Sequence, residues 1–301
     1  MVQQFRETGD YSGLELINSV FPKFRLVPGL IGCPKWSCNP EVAAVMRAKA
    51  GNINGLFTAM SVVDIPTDSE EADKYTEAPE WKSSHNYVSN HEIVCWPKVK
   101  LGDYTFHLST QLIGLMNSVD AGNDDTPYES PSNKLLQMDS CVISSGKEVD
   151  LGQEQANYLN GQGIVTALNW TGGWRAWGNR TAIYPASTDV KDCFIPTRRM
   201  FDWVGNTFIL TFWQKTDKPI TPRLIRSIVN SFNMWLNGLQ ARDFLLGGRI
   251  EFQSVEDPVT DLLNGILRFH IYFAPPPPAE QIVSTLEFAP DFLNILFDAV
   301  A

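Results

Sequence analysis

The stretch RLVPGLIGCPKWSCNPEVAAVMRAKAGNINGLFTAMSVVDIP, residues 25–66, decides the fold class. Its two ends, RLVPGLIGCP (25–34) and LFTAMSVVDIP (56–66), are short apolar runs of the kind that fill buried strands. Between them NPEVAAVMRAKAGNING (39–55) reads as a helix. Asn39 is placed to cap it, Pro40 occupies the first turn and Gly51 lies near the stop. A strand, a helix and a second strand in this order imply two parallel neighbours in one sheet.

The pattern continues outward. EIVCWPKVKL (92–101) and YTFHLS (104–109) are strand material joined by a turn at Gly102–Asp103. TQLIGLMNSVDAGND (110–124) reads as a helix, and SPSNKLLQ (130–137) as loop. SCVISS (140–145) and GIVTALNW (163–170) are strands flanking the helix DLGQEQANYLNG (150–161). The acidic segment from Thr67 to Asn90 reads as a surface helix or long loop with a solvated face. Residues 1–13 are a polar lead-in, and 14–189 form an α/β domain with a mostly parallel sheet and flanking helices. After residue 190 the texture changes to α+β. A helix is expected over 195–214, weakened by aromatic and β-branched content. TPRLIRSIVNSFNMWLNGLQARDFLLGG (221–248) carries a clear apolar face from Leu224 to Leu239, with Gly247–Gly248 as its stop. RIEFQS (249–254) and GILRFHIYFA (265–274) are strands, PPPP (275–278) a stiff spacer, EQIVSTLEF (280–288) a last strand, and PDFLNILFDAV (290–300) a short helix. The second domain spans 190–279 and an arm 280–301.

Composition narrows the function. The 301 residues carry a formal net charge of −10, which disfavours a general nucleic-acid or membrane binder. No apolar run approaches the length needed to span a bilayer, and the first residues lack a basic-then-apolar signal. Five cysteines, an odd number in a large chain, argue against a secreted disulfide scaffold. Cys33 and Cys38 lack a second pair to complete a zinc site. No nucleophile elbow or phosphate-binding loop is present. Asp64 ends an apolar strand, as a triad aspartate can, yet no histidine or serine stands in a supporting motif, and it reads as a turn former. His85 and His91 read as incidental, and Asp120, Asp124 and Asp125 lack the spacing of a calcium loop. No cofactor is implied.

One run remains conspicuous. NWTGGWRAWGNRTAIYP (169–185) holds three tryptophans within eight residues. It suits a sugar-stacking platform, a strained turn or a structural joint, and tryptophan as core filling is the plainer alternative.

The runs 20–57, 95–116, 133–140, 155–185, 194–214 and 235–248, taken together, resemble the contractile tail sheath proteins of myovirus-type phages and prophages. Trp177-Gly-Asn-Arg-Thr181, followed by Phe194-Ile-Pro and Arg198-Arg199, is the strongest mark of the likeness. The resemblance implies a subtilisin-like domain without catalytic residues, followed by an α+β domain. It implies a structural subunit, not an enzyme, that assembles with itself into six-fold rings stacked helically around a tail tube, with baseplate and tail-terminator proteins as further partners. Neither nucleic acid nor membrane insertion is implied. The expected location is the virion tail sheath, assembled in the host bacterial cytoplasm. The 169–185 run then becomes a joint, with Trp174, Trp177, Gly178 and Arg180 between the domains and Arg175 or Arg180 bonding carbonyls or a carboxylate. Ile282, Val283, Leu286 and Phe288 would form a strand added to a neighbour. Arg223, Arg226, Arg242 and Arg249 would face the tube. Relatives carry a longer N-terminal region, so part of the arm linkage is expected to be missing. The rival readings are a soluble hydrolase-like α/β enzyme and a tryptophan-based carbohydrate-binding module.

Overall fold

The structure, a computed structural model, describes residues 12–253 and 259–295. A 3-10 turn at Leu14–Ser19 leads into helix α1 (Val20–Phe24), and strand β1 (Leu30–Gly32) follows. Next come α2 (Pro40–Gly51), β2 (Met60–Asp64), α3 (Ala78–Ser84) and β3 (Glu92–Cys95). A hairpin of β4 (Lys98–Leu101) and β5 (Tyr104–His107) precedes α4 (Leu108–Gly122). The first body closes with β6 (Ser140–Val142), α5 (Gln153–Asn160), β7 (Ile164–Trp170) and β8 (Gly173–Trp177). The remainder holds α6 (Val190–Cys193), α7 (Ile195–Phe212), α8 (Pro222–Gln240), β9 (Gly247–Glu251), α9 (Val259–Leu263) and β10 (His270–Ala274).

The main sheet has the order β1-β2-β3-β7-β8. Its first four strands run parallel and β8 returns antiparallel. Side chains alternate across a strand, so β2 feeds two cores at once. Met60 and Val62 meet Leu108, Leu112 and Met116 of α4, while Val63 meets Ala43 and Met46 of α2. All five residues of β2 are buried because both faces of the sheet are covered. Asn39 does cap α2, its side-chain oxygen accepting from the Glu41 amide at 2.9 Å. A third core gathers Met200 and Val204 of α7, Phe232 and Leu236 of α8, and Ile250 of β9.

Several expectations are corrected. The first strand covers only Leu30–Gly32, because the preceding Pro28 lacks an N–H for a ladder. The expected strand 92–101 is cut by Pro97 into β3 and β4, which lie in different sheets. Leu108 and Ser109 open α4 instead of extending β5. The 67–90 segment is not simply solvated: Trp81 and Lys82 are buried. Gly247–Gly248 does not stop α8, which ends at Gln240; the glycines open β9, where Phe273 and Leu236 crowd Gly248. The expected strand over 280–288 does not form among the described residues; residues 281–289 carry no regular structure and are exposed. Of the expected helix 290–300, Pro290–Asn294 form a 3-10 turn and residues beyond 295 lie outside the described ones, as does most of the 1–13 lead-in.

Candidate assembly surface

The tryptophan-rich run is an antiparallel hairpin. Trp170 pairs with Gly173 and Thr166 with Trp177, around a turn at Thr171–Gly172. Gly172 has φ +84° and Gly178 φ +134°, conformations that favour glycine. A Cβ on Gly178 would stand 2.9 Å from the Val165 Cα, so this glycine also permits a close backbone approach. The three indoles do not make a platform. Trp174 packs against the sheet core and donates to the Asp139 carbonyl at 2.7 Å. Trp177 is half-buried and donates to Asn157 Oδ1 at 2.8 Å, leaving Trp170 as the exposed one. Arg175 holds the carbonyls of Thr171 and Asn133 at 2.9 and 2.7 Å. Trp174 is therefore internal to the first body and does not bridge the two bodies.

Arg180 does reach the second body, pairing as a β-bridge with Phe194, and α7 adds contacts from residues the sequence reading left without a role. Asp202 accepts from the Thr58 hydroxyl at 3.0 Å, and Asn206 donates to the Thr58 carbonyl at 2.8 Å. Arg199 forks onto Asp120 across the two bodies, while Arg198 pairs within the second body with Asp192 and Asp202. A cation-rich helix start is the signal that was available: the adjacent arginines 198 and 199, of which Arg199 meets Asp120 in the last turn of α4.

Arg180 makes a different connection. Its guanidinium lies 4.3 Å from the Tyr184 ring centre and 4.1 Å from that of Phe194, sandwiched as a cation over aromatic faces. It forks onto Glu280, with Nε donating at 2.8 Å. The proline spacer runs toward this pair along a groove lined by Asn157, Asn160 and Trp177, and Pro275 is buried. Glu280 is thus the root of the arm. Beyond it the chain leaves the surface: Ile282 is 91% exposed and Leu286 94%. Val283 and Phe288 are likewise bare.

The second body offers a short two-stranded sheet, with Ile250 opposite Ile271. The outer side of β9 is occupied by α8: Asn233 accepts the Ile250 amide at 2.9 Å and donates to the Ile250 carbonyl at 3.3 Å. β10 pairs with β9 alone among the described residues. Of the four arginines, Arg223 and Arg226 are exposed on α8. Arg242 pairs with Asp124 at 2.5 Å and Arg249 with Glu251 at 2.6 Å, so these two are committed within the chain.

One polar cluster resembles catalytic furniture. Asp64 accepts from Ser37 Oγ at 3.0 Å, from the Ser109 amide at 3.0 Å and from Ser109 Oγ at 2.5 Å. It caps α4 from 45 residues away. His107 Nδ1 lies 3.6 Å from Asp64 and 3.9 Å from Cys38 Sγ. A relay needs the acid on one ring nitrogen and the nucleophile on the other; here both address Nδ1. Burial, reinforced by Asp64, pushes the Cys38 thiol up to about 12, so it stays protonated and unreactive.

No family model matches the chain. It is 27% identical over 297 residues to the tail sheath protein of Burkholderia phage BcepMu, covering 96% of this chain and 61% of that protein. It is 25% identical to the major tail sheath protein of Serratia phage KSP20, covering 96% of this chain and 70% of that one. The tail sheath protein of Escherichia phage P2 is 24% identical, with 98% and 72% covered. The chain thus spans about three fifths to three quarters of these proteins' lengths. Among solved structures, the sheath complex of the extracellular contractile injection system PVC in its contracted state superposes with a TM-score of 0.74 at 17% identity, over 94% of this chain and 77% of that one. The anti-feeding prophage baseplate gives 0.72 at 18% identity, over 95% and 74%. These likenesses establish the fold: a mixed α/β body with a mostly parallel sheet.

Proposed function

We propose, from the premise that this chain resembles contractile tail sheath proteins along nearly its whole length, that it is a structural subunit of such a sheath. In this reading the subunit polymerises with its own kind into stacked six-fold rings around a tail tube, and contraction drives that tube through a cell envelope. Baseplate and terminator proteins bound the stack, and assembly takes place in the host cytoplasm before the sheath joins the virion tail. The division at residues 189 and 279 separates a scaffold, a domain that receives neighbours and an arm that reaches them. Arg223 and Arg226, uncommitted within the chain among the described residues, are the better tube-facing candidates. The extended sheath is held by a kinetic barrier, and contraction is a rigid-body passage between two packings.

The observation that carries the reading is the arm. Among the described residues, 281–289 expose Ile282, Val283, Leu286 and Phe288 with no partner strand, and β10 pairs on one side only. Large exposed apolar side chains on an extended segment call for an edge to join. In an alternating strand Ile282, Leu286 and Phe288 share one face. The reading is tested by truncation after Ala279. Electron microscopy and sedimentation should show rings or tubes from the full chain and a folded, unassembled protein from the truncated one. A full chain that stays monomeric at all concentrations would refute it. Neither rival gains from the structure: the Asp64 cluster lacks relay geometry, and the tryptophans lack a shared exposed face.

A further inference from the structure

The second body carries an apolar groove that the sheath reading leaves without an occupant. It has a volume of about 570 Å³ and lies between the end of α7, the start of α8 and the chain just before β10. Phe208, Phe212, Trp213, Ile220, Leu267 and Phe269 line it. Trp213 is 59% exposed, an unusual state for so large an apolar ring. Lys215 and Lys218 stand at the rim with Asp217 between them. Neither lysine is ion-paired among the described residues.

The arm ends in a piece with matching chemistry. Past the strand-forming residues, Pro290–Asn294 make a 3-10 turn followed by Ile295. Phe292 is 74% exposed, Leu293 50% and Ile295 64%. Glu287 and Asp291 flank these apolar side chains, opposite in sign to the two rim lysines. Exposed apolar side chains on one segment and an apolar groove elsewhere on the same molecule are complementary surfaces for two copies, and repetition of such a contact builds an open assembly.

Geometry decides whether one can reach the other. Residues 282–288 as a strand span roughly 23 Å, and the five residues of β10 roughly 17 Å. A strand added antiparallel to β10 runs from the Ala274 end toward His270. It therefore delivers residue 289 and its successors just beyond His270, where Leu267 and Phe269 form the groove's lip. A parallel strand would deliver them to the opposite end. The closure of the β9 side by Asn233 leaves β10 as the receiving edge.

We propose that the segment Pro290–Ile295 of one subunit lodges in the groove between α7 and α8 of a second copy, locking an arm strand added antiparallel to β10. The groove contact rests on the strand addition proposed above, and two truncations separate the fates of the two ideas. Removing everything after Phe288 keeps the strand and deletes the plug; removing everything after Ala279 deletes both. The expected result is graded. Truncation after Ala279 abolishes assembly, whereas truncation after Phe288 leaves assemblies that form only at tenfold or higher concentration by sedimentation. If the chain truncated after Phe288 assembles like the full chain, the groove contact is overturned and strand addition stands. If truncation after Ala279 has no effect, or the full chain never associates, both are overturned. Location is read by mixing full chains carrying Phe292→Cys with others carrying Ile220→Cys. Mild oxidation should give a dimer band absent from the parent chain, whose five thiols set the baseline. Intact assembly without that band, or a link formed only within a single chain carrying both substitutions, overturns the proposal.

Discussion

Between pH 4.5 and 7 Glu92 should draw stability from the folded state as pH rises. Glu92 opens β3 fully buried. Its Oε2 meets Arg47 Nη1 at 3.3 Å, while Oε1 has no hydrogen-bond partner among the described residues. Burial pushes its carboxyl from an ordinary 4.5 up to about 7, and Arg47 limits the rise. Below 4.5 the group is neutral whether folded or unfolded, and its stabilising contribution is complete. From 4.5 to 7 the folded chain keeps a proton that the unfolded chain releases, so stability falls. Above 7 the loss is complete, about 3 kcal/mol at 1.36 kcal/mol per pH unit. Lys82 has the mirror behaviour. Burial pulls its ammonium from 10.5 down to about 8, so its contribution is absent below 8 and returns as pH climbs toward 10.5. Together they place a trough near pH 7 to 8. Glu92→Gln removes the carboxyl while keeping its shape. Urea unfolding of the wild type and of Glu92→Gln at pH 5 and pH 8, in dilute protein, reads the effect, since groups distant from Glu92 cancel in the difference; repeating it in a Lys82→Met background removes a neighbour that Glu92 also shifts. That difference should change by about 2–3 kcal/mol in favour of the variant at pH 8. A difference constant within about 0.5 kcal/mol would show that Glu92 ionises normally and that the site is wetter than its burial implies.

Gly178→Ala should cost about 2–4 kcal/mol, combining a left-handed backbone with a Cβ driven into Val165, as read by thermal or urea unfolding. Glu280→Ala should leave the first body folded, cost about 1–2 kcal/mol through the lost Arg180 fork, and raise amide exchange and protease cleavage across 276–289; unchanged exchange there would deny the root its role. Asp64→Asn should be near neutral, since the Ser37 and Ser109 hydroxyls can turn to accept, whereas Asp64→Ala should cost about 2–4 kcal/mol by stranding three donors, with assembly kept in both.

What was legible in the chain was local. Asn39 and Pro40 announce α2, the apolar run before Asp64 announces a two-faced strand, and the helical spacing from Leu224 to Leu239 announces α8. Each depends on neighbours a few residues away. The failures share the opposite character. Asp64 caps a helix that begins 44 residues later, so nothing near Leu108 marks the start of α4. Arg180 and Glu280 are 100 residues apart, and neither advertises the other. Pro97 was visible but its consequence was not, because a proline that breaks a strand does not say which sheet the second half will join. EQIVSTLEF has strand composition, yet a strand is a property of two segments, and among the described residues no second segment pairs with it.

That last failure bears on how such a subunit could move. Glu280 is pinned by Arg180 and the apolar strand residues begin at Ile282, so a single residue separates the root from the segment offered to a neighbour. If strand addition proceeds as proposed, a neighbouring β10 edge must, with the root closed, begin within roughly 7 Å of Glu280, given the reach of two residues. The receiving hairpin then sits close against the Trp177 and Arg180 face, and two subunits joined this way have little freedom to turn. Releasing the root transfers residues 276–280 to the linker, with Pro275 still buried. Five residues at about 3.1 Å each in an extended proline-rich form add roughly 16 Å of reach. Three consecutive prolines, Pro276–Pro278, make that added length a stiff spacer with a defined direction, unlike a slack loop. A rigid-body change of packing that preserved the strand contact would therefore have two discrete link lengths available, chosen by one arginine fork. The fork's strength matters for the same reason: a charge-assisted pair whose cation is sandwiched between rings is firm enough to hold one length, and its exposed carboxylate side leaves it weak enough to yield when many subunits turn together.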